Sequence, residues 1–184
     1  MLNLIVSDIH GSKSSALKIY ELDKKYNFNN IILLGDINYN GARNVPPFDY
    51  SPIDVTEILN KIVYKIIFIK GNCDSRVDSF VFKKEFKDIE ILNIKNFKFY
   101  LTHGDLISKD NLMLKDNEVL LYGHTHVFKL TKEKKHYLIN PGSISIPKNN
   151  NPRTYLIFDD EKMLFSLYNL EDSLIAELKL ENNL

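Results

Sequence analysis

Two histidines separated by one residue, His124 and His126, close the apolar run LLYG. Asp8 and His10 repeat that spacing behind LIVS, close to Met1. In an extended chain, side chains two apart point to the same side, so each pair can aim two donors at one point. Imidazole is the commonest metal-ligating side chain. The placement recurs along the chain: Asp36 follows IILLG, Asn72 follows IIFIKG, and His103 follows FYLT. Gly11, Gly35, Gly71, Gly104 and Gly123 stand beside these residues and permit tight turns and close backbone approach. Each residue alone has an ordinary structural use, as a turn former, a helix cap or a satisfied core histidine. Those uses do not explain why all of them stand at the ends of apolar runs.

Asp8, His10, Asp36, Asn72, His103, His124 and His126 are too many ligands for one tetrahedral ion. They fit two divalent ions sharing a carboxylate, and Asp36, with two oxygens, is the natural bridge. Carboxylate, amide and imidazole donors without a thiolate suit Mn, Fe, Zn or Ni in a reactive site more than a structural zinc.

The elements that must position these residues can be read from periodicity. LNLIVS, NIILLGD and KIIFIKGN are apolar strands. Between them, Ala16, Leu17, Tyr20 and then Ile19, Leu22, Tyr26 recur at spacings of three and four and predict a helix, with Ser12 as its cap. Val55, Ile58, Leu59 and Ile62 do the same for a second helix opened by Ser51 and Pro52. The order β-α-β-α-β implies parallel strands with crossover helices. A third helix is expected near residues 75–82. Beyond it the chain breaks into short strand-like segments, IEILNI, FKFYLTHG, EVLLYGHTH, HYLINPGS, RTYLIFDD, KMLFSLYNL and SLIAELKL. That division predicts two sheets packed face to face with helices outside. The ligand pattern places the site at the C-terminal ends of the strands, where open α/β sheets bind ligands.

Composition narrows the class. A chain of 184 residues with 44% hydrophobic and 26% charged residues is a globular domain, here read as one domain over 1–184. Zero formal net charge argues against broad phosphate neutralisation, so no nucleic acid is expected as partner. No run approaches the ~20 apolar residues of a membrane span, and the apolar N-terminal run is too short for a signal-peptide core. The single cysteine, Cys73, fits a reducing, cytoplasmic setting.

DIHGS, GDINYNGARN, GNCDS, THGD, GHTH and NPGSISIPK, in this order, resemble the motifs of the calcineurin-like metallophosphoesterases and, more narrowly, of the bacterial YfcE-type phosphodiesterases. The resemblance runs from residue 3 to about residue 160. It implies an α/β four-layer α-β-β-α sandwich of two mixed sheets and a two-metal site, with Mn the foremost ion. By position, Asp8, His10 and His126 would hold one metal, Asn72, His103 and His124 the other, and Asp36 would bridge. It also implies a homo-oligomer. Two metals about 3.5–4 Å apart can activate a water and clamp both oxygens of an in-line displacement at phosphorus. The expected activity is therefore hydrolysis of a small phosphodiester. A phosphomonoesterase and a protein-docking scaffold on the same fold are the alternatives, and a nuclease is disfavoured by the absence of a basic surface or extra domain.

One departure lies at GNCD. Many relatives carry histidine after the asparagine, as proton donor to the leaving group; here it is Cys73. Cys73 and Asp74 are the catalytic candidates beside Asn72. A Cys73 thiol could donate a proton but is no equivalent of an imidazolium, so water or substrate is the expected donor, and Asp74 would orient a ligand histidine or cap the next helix. Arg43, with Asn44 beside it, is the candidate phosphate contact, because guanidinium matches phosphate geometry. Arg43 is the only basic residue between Asp36 and Lys61, so one guanidinium is expected to face the substrate. One guanidinium suits the single charge of a diester better than the near-double charge of a monoester. A monoester preference would mean that further cations, Lys148 or Arg153, reach the site.

Overall fold

Alternation within the first strands explains the layering. Leu4 and Val6 of β1 (Leu2–Val6), Ile31 and Leu33 of β2 (Asn30–Leu33), and Ile66 and Phe68 of β3 (Ile66–Ile69) join one buried cluster. That cluster includes Ala16, Ile19 and Leu22 of α1 (Lys13–Tyr26) and Val55, Ile58 and Leu59 of α2 (Pro52–Asn60). The intervening residues Ile5, Ile32, Leu34 and Ile69 join a second cluster on the opposite face. Successive strand side chains point to opposite faces, so a sheet covered on both sides reads as a continuous apolar run.

The computed structural model describes residues 1–181; the last three residues of the expected 1–184 domain lie outside the described residues. After α3 (Arg76–Val81) come β4 (Phe86–Lys87), β5 (Ile89–Ile94), β6 (Phe97–Thr102) and β7 (Glu118–Leu121). The chain closes with β8 (Lys129–Glu133), β9 (His136–Asn140), β10 (Thr154–Asp159), β11 (Leu164–Asn169) and β12 (Leu174–Lys179). One sheet has the order β12-β11-β10-β1-β2-β3-β4, the other β5-β6-β7-β9-β8. Strands β1 to β4 run parallel, and β10 pairs antiparallel with β1. In the second sheet β6, β7 and β9 are parallel, with β5 and β8 antiparallel at the edges. Phe97, Phe99, Leu101, Val119, Leu121 and Ile139 face the first sheet through the second cluster. These are the two mixed sheets with flanking helices that the motifs implied. The connection from β6 to β7 runs as turns.

Helix boundaries follow their caps. Ser12 accepts from the Ser15 N–H at the start of α1, and Asn27 closes it in the left-handed region. Ser51 precedes Pro52 at the start of α2 as expected, although its hydroxyl makes no capping bond. Ser75 and Asp78 form a reciprocal capping box on α3. Asp74 therefore does not cap α3, and its carboxylate is used elsewhere.

Candidate metal centre

The site sits where the C-terminal ends of β1, β2 and β3 meet those of β6 and β7. Two sheets supply it, rather than the edge of one. The expected donors are not extended. Asp8, His10, Asp36, His124 and His126 all have left-handed backbones, with φ of 56°, 48°, 56°, 66° and 60°. β7 stops at Leu121, so His124 and His126 project from a kinked loop and not from strand alternation. The equivalence of side chains two apart therefore fails here. His126 turns toward His10 (Nε2–Nε2 3.2 Å), whereas His124 turns toward His103 (Nδ1–Nε2 3.3 Å). Left-handed backbone costs about 1–3 kcal/mol for each non-glycine residue and persists only where the surroundings impose it. Here main-chain bonds impose it: Asp8 N–H donates to Gly35 O, His10 N–H to Asp36 O, and Gly123 N–H to His103 O. The Ser143 and Ser145 hydroxyls both donate to Asp8 O, and His124 N–H donates to Asp8 Oδ2.

Close approach of β2, β3 and β6 needs Gly35 and Gly71. A Cβ on Gly35, at φ 93°, would lie 2.5 Å from His103 Nδ1 and 2.7 Å from Gly71 N. A Cβ on Gly71 would run into the Asp36 carboxylate.

Three imidazoles are oriented by main-chain carbonyls. His10 Nδ1 meets Tyr39 O at 2.8 Å, His103 Nδ1 meets Leu34 O at 2.6 Å, and His126 Nδ1 meets Ile146 O at 2.7 Å. A carbonyl can only accept, so each Nδ1 carries the proton, and in the neutral ring Nε2 is left with its lone pair. Those lone pairs converge on carboxylates. His10 Nε2 is 3.6 Å from both Asp8 Oδ1 and Asp36 Oδ2, His126 Nε2 is 3.4 Å from Asp8 Oδ1, and His103 Nε2 is 3.4 Å from Asp36 Oδ2. Asp8, His10 and His126 form one group able to hold an ion, and Asp8, Asp36 and His103 another. Asp8 Oδ1 is buried with no hydrogen-bond partner.

Electrostatics show the same demand for positive charge. Burial disfavours the His103 cation, yet the Asp36 bond and the charges of Asp8 and Asp36 lift its pKa to about 9. Burial likewise opposes charge on Asp36, but His103, the Cys73 N–H and His10 outweigh it and hold the carboxyl at about 2. His10 is raised against burial by Asp8 and Asp36, while burial lowers His124 and His126. A buried cluster of acceptors with one orphaned carboxylate oxygen fits divalent cations.

Asn72 is exposed, lines the cleft above this cluster, and donates Nδ2 to Cys73 Sγ at 3.2 Å. Cys73 Sγ lies within reach of His10 and Asp36. Burial, then the Asp36 charge, pushes the thiol up to about 12. Asp74 does not orient a histidine. Its oxygens accept from the main-chain N–H of Asp36, Ile37 and Gly71, each at 2.8 Å, tying the ends of β2 and β3 together. Burial pushes this carboxyl up to about 7, against the pull of the three N–H groups.

Arg43 lines the cleft, together with Asn44, Asp36, His124 and His126. Asn44 does more than line it: Asn44 Nδ2 donates to Asn40 O and Asn40 Nδ2 to Asn44 O, clamping the loop that presents Arg43. Lys148 lines the same ≈ 200 Å³ space. Arg43 is the one guanidinium lining the cleft, and Lys148, which ends the NPGSISIPK motif and is one of the two further cations named from the sequence, lines it too, anchored by its main-chain bond to His126 O. Arg153 is exposed and does not line this cleft.

Residues 1–163 match the calcineurin-like phosphoesterase superfamily domain. The chain belongs to this superfamily. Within it, phosphodiesterase YfcE of Escherichia coli (strain K12) is 36% identical over 178 residues, covering 95% of this chain and 96% of its own length. The solved structure of E. coli YfcE, described as a phosphoesterase, superposes with a TM-score of 0.93 at 35% identity, over 98% of this chain and 100% of that one. Vps29 of Entamoeba histolytica, solved in complex with Zn²⁺, shares the fold with a TM-score of 0.64 at 18% identity, over 98% and 100% of the two chains. Among the described residues, no helix of this calcineurin-like protein is long and apolar enough to cross a membrane.

Proposed function

We propose that this phosphoesterase-family protein is a metal-dependent phosphodiesterase acting on a small phosphodiester. One observation carries the reading: buried Asp8 Oδ1 has no partner and faces the Nε2 atoms of His10 and His126, a set of acceptors that a cation reconciles. The likeness to phosphodiesterase YfcE supports the choice of reaction.

Asp8, His10 and His126 would hold one ion, and Asn72, His103 and His124 a second, with Asp36 shared. We propose Mn²⁺, for which carboxylate, amide and imidazole donors are suited, ahead of Fe, Zn or Ni. Such ions supply Lewis acidity and a water that ionises near neutral pH. The chain's own residues do the rest. Arg43 and Lys148 attract the anionic substrate, and the carbonyls of Tyr39, Leu34 and Ile146 hold the imidazoles in one tautomer. The Cys73 thiol, pushed up by burial and then by the Asp36 charge, is no equivalent of an imidazolium, so solvent supplies the proton that the leaving oxide takes up. We place the enzyme in the cytoplasm on its single cysteine, without nucleic acid or membrane partners on its zero formal net charge and lack of a long apolar run, and as a homo-oligomer on its family resemblance alone.

The test is turnover of an aryl phosphodiester with Mn²⁺ supplied. EDTA should abolish it and added Mn²⁺ restore it. Equal turnover by metal-free protein would sink the two-metal reading. A matched aryl monoester under the same Mn²⁺ concentration should give a lower kcat/KM, and the reverse order would mean that Lys148 as well as Arg43 meets the reacting phosphate.

A further inference from the structure

Arg43 and Lys148 both line the cleft beside the metal centre, and among the described residues neither side chain has an acidic partner. Their main chains are fixed. Arg43 sits in the Asn40–Asn44 clamp, and a Cβ on neighbouring Gly41 would lie 2.8 Å from Cys73 Sγ. Lys148 N–H donates to His126 O, while Lys148 O accepts from the main-chain and side-chain N–H of Asn151. Both charged groups are exposed on these anchored turns and can close on a ligand.

We propose that Arg43 and Lys148 form a second anion subsite, so that the phosphodiester taken here carries a further oxyanion on one ester arm. This rests on the phosphodiesterase reading above. Two divalent ions set against the Asp8 and Asp36 carboxylates leave enough charge for a diester monoanion and an attacking hydroxide. Arg43 and Lys148 are surplus to that balance. Two unpaired cations at one narrow cleft repel each other and focus a positive field until an anion enters. The guanidinium can take a carboxylate or phosphate through two parallel N–H bonds, and the ammonium adds a point charge. The amides of Asn44 and Asn72 make the remaining lining polar, which favours a small charged group over an apolar arm.

Calorimetric titration of EDTA-treated and Mn²⁺-loaded protein can compare diphenyl phosphate with analogues bearing a 4-carboxyl or a 4-phosphono group on one ring. The oxyanion should tighten Kd about fivefold or more at low salt, and Lys148→Met should remove that advantage. The carboxyl and phosphono arms show which oxyanion is preferred. Equal Kd values for neutral and charged arms overturn the proposal, whether or not any diester is hydrolysed. In turnover, the 4-nitrophenyl diester with a carboxyphenyl arm should exceed the one with a phenyl arm about tenfold in kcat/KM, and Lys148→Met should bring that ratio near one. If the variant instead loses 4-nitrophenyl phosphate turnover and keeps the ratio, Lys148 reads the reacting phosphate and the subsite is wrong. If Mn²⁺-loaded protein binds the charged arms preferentially yet cleaves no diester, the subsite stands and the phosphodiesterase reading fails.

Discussion

Behind His10, His103 and His126 stands a main-chain carbonyl that fixes which nitrogen faces inward, so each ring's orientation and neutral tautomer are set before a cation arrives. Asp36 is within 3.6 Å of His10 and 3.4 Å of His103, and it also accepts the Cys73 N–H at 2.8 Å. Asp36→Asn and His103→Ala should each lower kcat/KM by more than about 100-fold, since changes one shell further out already cost about 10–100-fold. Cys73→Ser should stay within about tenfold if solvent protonates the leaving group. A loss at Cys73 as large as at Asp36 would make it the proton donor, as efficient acid catalysis contributes about 10²–10⁴-fold. The donors were legible because four of the five histidines, together with Asp8, Asp36 and Asn72, end apolar runs. The carbonyl partners were not, since every residue offers a carbonyl and only the fold selects Tyr39, Leu34 and Ile146. Lys148 and Arg153 were both visible as further cations, but their segment is far in sequence from the loop with Arg43, and only the fold brings Lys148 and not Arg153 to the cleft.

At the scale of elements, Asp74 binds two strand ends into one unit. Its three N–H partners lie on both sides of the Gly35–Gly71 contact, so losing the carboxylate orphans three buried donors at once. Each costs about 1–3 kcal/mol when left unpaired. Asp74→Ala should therefore lower the urea midpoint strongly, while Asp74→Asn, which keeps one acceptor oxygen, should fall between. Equal midpoints for wild type and Asp74→Ala would show that the strand ends do not depend on it. Periodicity located α1, α2 and the central strands because each buries an apolar face, and α3 lies near the expected 75–82 although the residue it buries is Asp78. Periodicity missed β4, only two residues long, and β8, whose KLTKE alternates no apolar face strong enough to register. It also read the donor pairs as extended, since hydrophobic pattern carries no sign of φ at a strand end. Their neighbours hold them left-handed: the Gly35 carbonyl and the Ser143 and Ser145 hydroxyls at Asp8, and the Asp8 carboxylate at His124.

Across the whole molecule, the turn after β11 returns to the first helix. Asp172 accepts from Lys18 at 2.6 Å, from Lys25 at 3.2 Å and from the Tyr155 hydroxyl at 2.7 Å. Lys18 first, then Tyr155, and then Lys25 against some burial, hold its carboxyl at about 2, below its ordinary 3.8. A depressed carboxylate stabilises the fold fully above the unfolded value and loses that stabilisation as pH falls through about 2. Asp172→Asn should lower Tm at neutral pH, and its deficit should shrink between pH 4 and pH 2. A deficit independent of pH would show that the ion pairs contribute nothing. The sheet order has a further effect. β1 lies between β2 and β10, so the strand that opens the chain is finished by one that begins at Thr154. A chain on the ribosome that has emerged as far as Asn150 already holds every donor from Asp8 to His126, yet β1 still has an open apolar edge. Such pairings are slow to form and expose strand edges meanwhile. A fragment of residues 1–150 should accordingly melt without a cooperative transition. The nascent enzyme would then carry its metal donors before it has a shape to hold them, and a chaperone that shields β1 would set how much of it matures.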